Sequence, residues 1–87
     1  MVILIDQRNH GARMLEEKKN LSWDEGNISH AQDLFSTIEG TTQDVSLILS
    51  YLPSILFPND EMKIVQYGVS GISLGGHVCW LSLCNGM

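Results

Sequence analysis

Gly68-Val69-Ser70-Gly71-Ile72-Ser73-Leu74-Gly75-Gly76-His77 is the stretch on which the reading of this 87-residue chain turns. Before it, residues 63–69 carry Ile64, Val65, Tyr67 and Val69 with little charge, a pattern that predicts a strand. After it, Val78, Trp80, Leu81 and Leu83 suit a helix packing on a sheet. Between them, Gly71-Ile72-Ser73-Leu74-Gly75 has the form Gly-x-Ser-x-Gly, and a strand-to-helix setting gives that short pattern its weight. The chemistry requires these residue types. A serine at the apex of so tight a turn is held at strained dihedrals, with positive φ expected. Its neighbours two positions to either side approach too closely for a Cβ, hence Gly71 and Gly75. Gly76 removes a further side chain where the helix meets the sheet. The turn lifts the Ser73 hydroxyl clear and aims the helix N-terminus at it, so the Leu74 N–H can donate to a developing oxyanion. Ser70 does not fit the pattern, because position 72 is Ile. A phosphate loop would end in Gly-Lys-Ser/Thr, whereas His77 follows the last Gly, and Gly68, Gly71, Gly75 and Gly76 lack the dinucleotide spacing.

Working outward, the strongest helix signal lies upstream. Thr41 with Asp44 marks a start, and Val45, Ile48, Leu49, Leu52, Ile55 and Leu56 fall on one apolar stripe. Pro53 kinks that helix or ends it near Leu52, and Asn59-Asp60 makes the following turn. Further back, residues 15–40 read as a connecting excursion. It holds a mixed-charge run, Glu16-Glu17-Lys18-Lys19, and turn chemistry at Asp24-Glu25-Gly26-Asn27. A short helix capped by Ser29 and Gln32 and stopped by Gly40 closes it. At the N-terminus, residues 2–5 are a run of β-branched and aliphatic side chains, the pattern of a strand buried on both faces. The polar Asp6-Gln7-Arg8-Asn9-His10-Gly11 then reads as the loop leaving its carboxyl end. The predicted fold is α/β: a βαβα unit with two parallel strands and a right-handed crossover around the serine turn.

Two motifs in this order resemble the α/β-hydrolase superfamily. Asp6-Gln7-Arg8-Asn9-His10-Gly11 is similar to the D-x-R-x-H-G loop after the fourth strand of many members, with Asp6, Arg8, His10 and Gly11 on its positions. The stretch from Gly68 to Gly76 is similar to the nucleophile strand's end and elbow. Gly26-Asn27 and His30-Ala31-Gln32-Asp33 resemble uncharacterised fungal hydrolase-like proteins. The resemblance implies Ser73 as the nucleophile of an acyl (ester-type) hydrolase, Leu74 as an oxyanion donor, a His base and an orienting acid. The family order is Ser, then acid, then His, yet no Asp or Glu follows Ser73. His77 lies within a helical turn of Ser73, unsuited to the usual base role, and His10 reads as a structural hydrogen-bonding residue. A complete domain of this kind needs about 200–250 residues. The expectation is therefore a partial α/β-hydrolase domain over residues 1–87, a middle segment without turnover of its own.

Composition narrows the alternatives. Five Lys and Arg against ten Asp and Glu give a formal charge of −5, which argues against a nucleic-acid surface. No stretch is long and apolar enough to span a bilayer, and the opening apolar run is too short for a signal peptide, leaving the cytoplasm as default. Cys79 and Cys84 read as reduced, half-buried residues, and His77, Cys79 and Cys84 match no zinc spacing, so neither metal nor cofactor is expected. Trp23 and Trp80 read as packing residues, and His30 as exposed. The competing function is a non-catalytic module that self-associates or captures a partner through unpaired sheet edges.

Overall fold

The computed structural model describes residues 2–59, 62–64 and 66–84. Met1, Asp60 of the expected turn and Val65 of the second expected strand lie outside them. The chain divides into two compact units, Met1–Thr41 and Thr42–Met87.

Helix α1 (His30–Leu56) runs from the first unit into the second, and α2 (Leu74–Cys84) belongs to the second. Single 3-10 turns occupy Gly11–Arg13 and Glu17–Asn20. No strand occurs among the described residues. The α/β assignment, the parallel βαβα unit and the partial α/β-hydrolase fold are therefore corrected: the described secondary structure is helical. The physical reason lies in what a strand requires. β-Propensity is a statement about fitting a pleated, partnered surface, and an apolar run without a neighbour has nowhere to place its backbone donors and acceptors. Val2 and Leu4 are 84% and 89% exposed, so this run is solvated rather than enclosed. The described part of residues 63–69 is irregular as well.

Helix α1 is longer than its sequence signals suggest. Gly40 and Thr41 read as a stop followed by a start, yet the helix passes through both. The space over Gly40 is filled by the Arg8 side chain, which a Cβ there would meet at 2.5–2.8 Å. Thr41 is buried, and its Oγ1 accepts a hydrogen bond from the Arg8 N–H at 2.9 Å instead of capping a helix. The first turn is closed by Asp33 N–H donating to Ser29 C=O at 2.9 Å, while Asn27 Oδ1 accepts from Ser29 N–H at 3.0 Å. Pro53 sits inside α1, and the Phe57 N–H donates to its carbonyl at 2.8 Å, so the ladder resumes beyond it.

Apolar burial is slight. Among the described residues Val78 of α2 is the one buried apolar side chain, alongside buried Thr37, Thr41, Thr42 and Ser82. Trp23 and Trp80, expected as packing residues, are exposed. Trp23 meets the edge of His30 at a centroid distance of 5.7 Å, and His30 Nδ1 lies 3.1 Å from the Leu21 carbonyl, so His30 is not the free surface residue its context suggested.

Candidate functional site

Ser73 occupies the turn that feeds directly into α2, at φ +56°. Left-handed backbone is costly for a residue with a Cβ, by roughly 1–2 kcal/mol, so this turn is under strain at its serine. The glycines beside it explain how the turn closes. A Cβ on Gly71 would stand 2.5 Å from the Gly75 carbonyl oxygen and 2.9 Å from its Cα, distances no real side chain tolerates. Gly71 is thus required by its neighbour. Gly76 is not: a Cβ there would meet only the Gly71 oxygen, at 3.6 Å, and without a sheet beneath α2 the reason given for that glycine falls away.

The turn is pinned by two bonds, Gly75 N–H to Ile72 C=O at 3.1 Å and His77 N–H to Ser73 C=O at 3.3 Å. Ser73 is exposed. Leu74 is the first residue of α2, so its N–H precedes the helix's internal ladder and stands beside the serine at the positive end of the helix dipole. His77 is exposed, and its Nδ1 lies 3.3 Å from the Ser73 carbonyl oxygen. That contact commits the ring nitrogen to backbone, as a donor, and not to the hydroxyl of Ser73. The arrangement supplies a presented hydroxyl and an amide donor, and among the described residues no base is bonded to the hydroxyl.

The second set of residues lies in the other unit. Asp6 Oδ2 accepts from Ala12 N–H at 3.0 Å, and the Asp6 carbonyl accepts from Arg13 Nη1 at 2.8 Å. Gly11 holds φ +55° with the Asp6 carboxylate against it, so a Cβ there would meet that group at 2.6 Å. His10 Nδ1 lies 2.9 Å from the Arg8 carbonyl, a contact that ties the ring to its own loop.

The organising residue of this loop is Asn9, which the motif leaves unassigned. It adopts φ +60°. Its Oδ1 accepts from the N–H groups of Leu15 and Glu16 at 2.8 and 2.7 Å. Its Nδ2 donates to the Glu16 carbonyl at 2.7 Å and to Asn20 Oδ1 at 3.0 Å, and Asn20 Nδ2 returns a bond to the Asn9 carbonyl at 2.7 Å. The usable signal was Asn itself, the residue that most readily enters left-handed backbone and bonds to nearby main chain. Next to this loop lies an open cavity of about 530 Å³ whose walls include Arg8, Asn9, Arg13, Glu16, Lys19 and Asp33. Lys19 is paired with Glu16 at 3.4 Å, with both side chains more than half exposed, and Arg13 Nη1 donates to the Asp6 carbonyl.

Among the described residues no group of three His, Cys, Asp or Glu side chains is placed to hold a metal ion, and Cys79 and Cys84 are free thiols. Among the described residues no helix is long and apolar enough to cross a membrane. Comparison with protein-family models, with curated proteins and with solved structures returns no match. Together with the absence of strands among the described residues, this overturns the resemblance to the α/β-hydrolase superfamily, including its fungal members: two short motifs similar to that family's do not carry its architecture here.

Proposed function

We propose that Ser73 is a nucleophile position for acyl (ester-type) chemistry, and that the chain by itself performs no turnover. The observation that supports this is Ser73 at φ +56° in a turn whose closure depends on Gly71 lying against Gly75. Strain at an exposed serine, with an N–H beside it at a helix start, is the arrangement in which a hydroxyl can attack a carbonyl and the resulting oxyanion can be met. Serine is weakly nucleophilic until a base removes its proton. The His77 ring is engaged at Nδ1 with the Ser73 carbonyl, and among the described residues no base is bonded to the Ser73 hydroxyl, so the base is taken to come from outside the turn.

An alkyl fluorophosphonate tests the first half, because attack by Ser73 Oγ forms the O–P bond and expels fluoride while the hydroxyl proton passes to the base. With the chain alone, labelling is expected to be slow and far from stoichiometric. Added imidazole, acting as a free general base, should raise labelling at Ser73 roughly tenfold, below the 10²–10⁴ of a positioned base. Ser73→Ala should remove the increment and Ser70→Ala should not. An adduct mapped to other residues overturns the nucleophile assignment. Release of more than one equivalent of p-nitrophenol per chain from p-nitrophenyl acetate without imidazole, lost in Ser73→Ala, overturns the claim that the chain lacks turnover.

A further inference from the structure

We propose that the exposed face of α1 within the second unit is the contact of a weak, two-fold symmetric dimer of this chain. Leu47, Tyr51 and Ile55 are 58%, 59% and 73% exposed. They recur every fourth residue and so form a single ridge along the helix. Ile55, which the sequence places on the inward stripe, belongs to this ridge, while Val45, Ile48, Leu49, Leu52 and Leu56 are half-buried on the other side. Beside the ridge runs a row of exposed small residues, Ser46, Ser50 and Ser54, also four apart.

Large ridge and shallow row are adjacent on one helix, so the surface complements itself. Rotating a second copy about an axis near residues 50 and 51 lays each ridge in the other's serine row. That is the commonest helix-packing class, with axes crossing at about −50°, and the contact it makes is isologous. The row suits burial, because the Ser50 hydroxyl already donates to the Ser46 carbonyl at 2.9 Å. An apolar side chain placed over Ser50 therefore strands no donor at the centre of the row.

Charge narrows the occupant, and the self-complementary ridge and row favour a second copy. The chain carries −5 overall, yet residues 45–58 contain no Asp, Glu, Lys or Arg. A partner recognised through charge finds nothing to pair with here, and two copies meet without like-charge repulsion at the contact. Asp44 lies at one end of the ridge, so the antiparallel pairing places the two carboxylates at opposite ends. Area sets the strength. Three side chains, each more than half exposed, offer on the order of 300 Å² per copy, against about 800 Å² per partner in a standard stable interface. The dimer is consequently weak and concentration-dependent.

Sedimentation velocity on the full chain, from about 1 μM to about 1 mM, spans the range over which a contact of this size dissociates. The weight-average mass is expected to rise from 9.7 kDa toward twice that value. Tyr51→Glu and Ser50→Glu, both at exposed positions, should each hold the chain at the monomer mass, with helix content by circular dichroism confirming that they fold. Mixing Tyr51→Glu with Tyr51→Lys should restore a dimer that neither forms alone. A single 9.7 kDa species throughout overturns the proposal. So does a dimer, or a larger assembly, that these variants leave intact.

Discussion

Ser73 spends backbone energy on its position. A serine at φ +56° gains nothing conformational from staying there, and the neighbouring Gly71 and Gly75 show that the turn is built around it. If the turn served only to start α2, glycine at position 73 would do so at less cost. Ser73→Gly is therefore expected to stabilise α2 by about 1 kcal/mol, allowing for the extra freedom glycine brings to the unfolded chain. Ser73→Ala, which keeps the Cβ and the strain, should leave stability within about 0.5 kcal/mol of wild type. Urea titrations followed at 222 nm separate the two. If alanine stabilises as much as glycine, the strain does not reside in the backbone of this residue. Asn9 gives the contrasting case: its positive φ is repaid locally, because its amide satisfies the main chain of residues 15 and 16.

At the scale of elements, α1 carries its own defect. Pro53 removes one N–H from the ladder inside a helix that continues beyond it, with Phe57 N–H on the Pro53 carbonyl at 2.8 Å. Proline in a helix interior costs up to about 3 kcal/mol relative to alanine. Pro53→Ala is expected to raise the thermal midpoint and the 222 nm signal, with a gain of about 1–3 kcal/mol. A fall in midpoint would mean that proline at position 53 stabilises α1 in its folded setting. The local signals in this chain were the legible ones. The three-to-four residue period of 45–56 and the apolar run after Gly76 both end up in helices, because a helix satisfies its hydrogen bonds within the segment that encodes it. The expected strands failed for the converse reason: residues 2–5 have strand-like side chains, and no property of those residues supplies a neighbour. Gly40 and Thr41 misled because their roles are tertiary, one making room for Arg8 and the other binding its N–H. Of the candidate site, the glycine spacing around Ser73 was legible since it encodes a close backbone approach. The Asn9 network was not, as it depends on where residues 15–20 return.

For the whole molecule the governing quantity is apolar surface. One buried apolar side chain, Val78, is the core the described residues provide, while Leu47, Tyr51, Ile55, Ile72, Trp80 and Leu83 of the second unit face solvent. Conformational entropy opposes folding at every residue, and apolar burial at about 25 cal/mol per Å² is the main term against it. A chain so composed gains stability from any association that covers this surface, and by mass action that gain depends on concentration. For a dimer that dissociates as it unfolds, each tenfold rise in concentration contributes about 1.4 kcal/mol per dimer, or about 0.7 kcal/mol per chain. In a domain of this size that corresponds to a midpoint shift of about 3–6 °C. The thermal midpoint of the wild-type chain is accordingly expected to climb by that amount per tenfold concentration once the dimer is populated. With Glu in place of Tyr51 the midpoint should be flat over the same range. A midpoint independent of concentration in the wild type would show that each unit draws its stability from within, the first in part through the Asn9 network, and not from the face of α1.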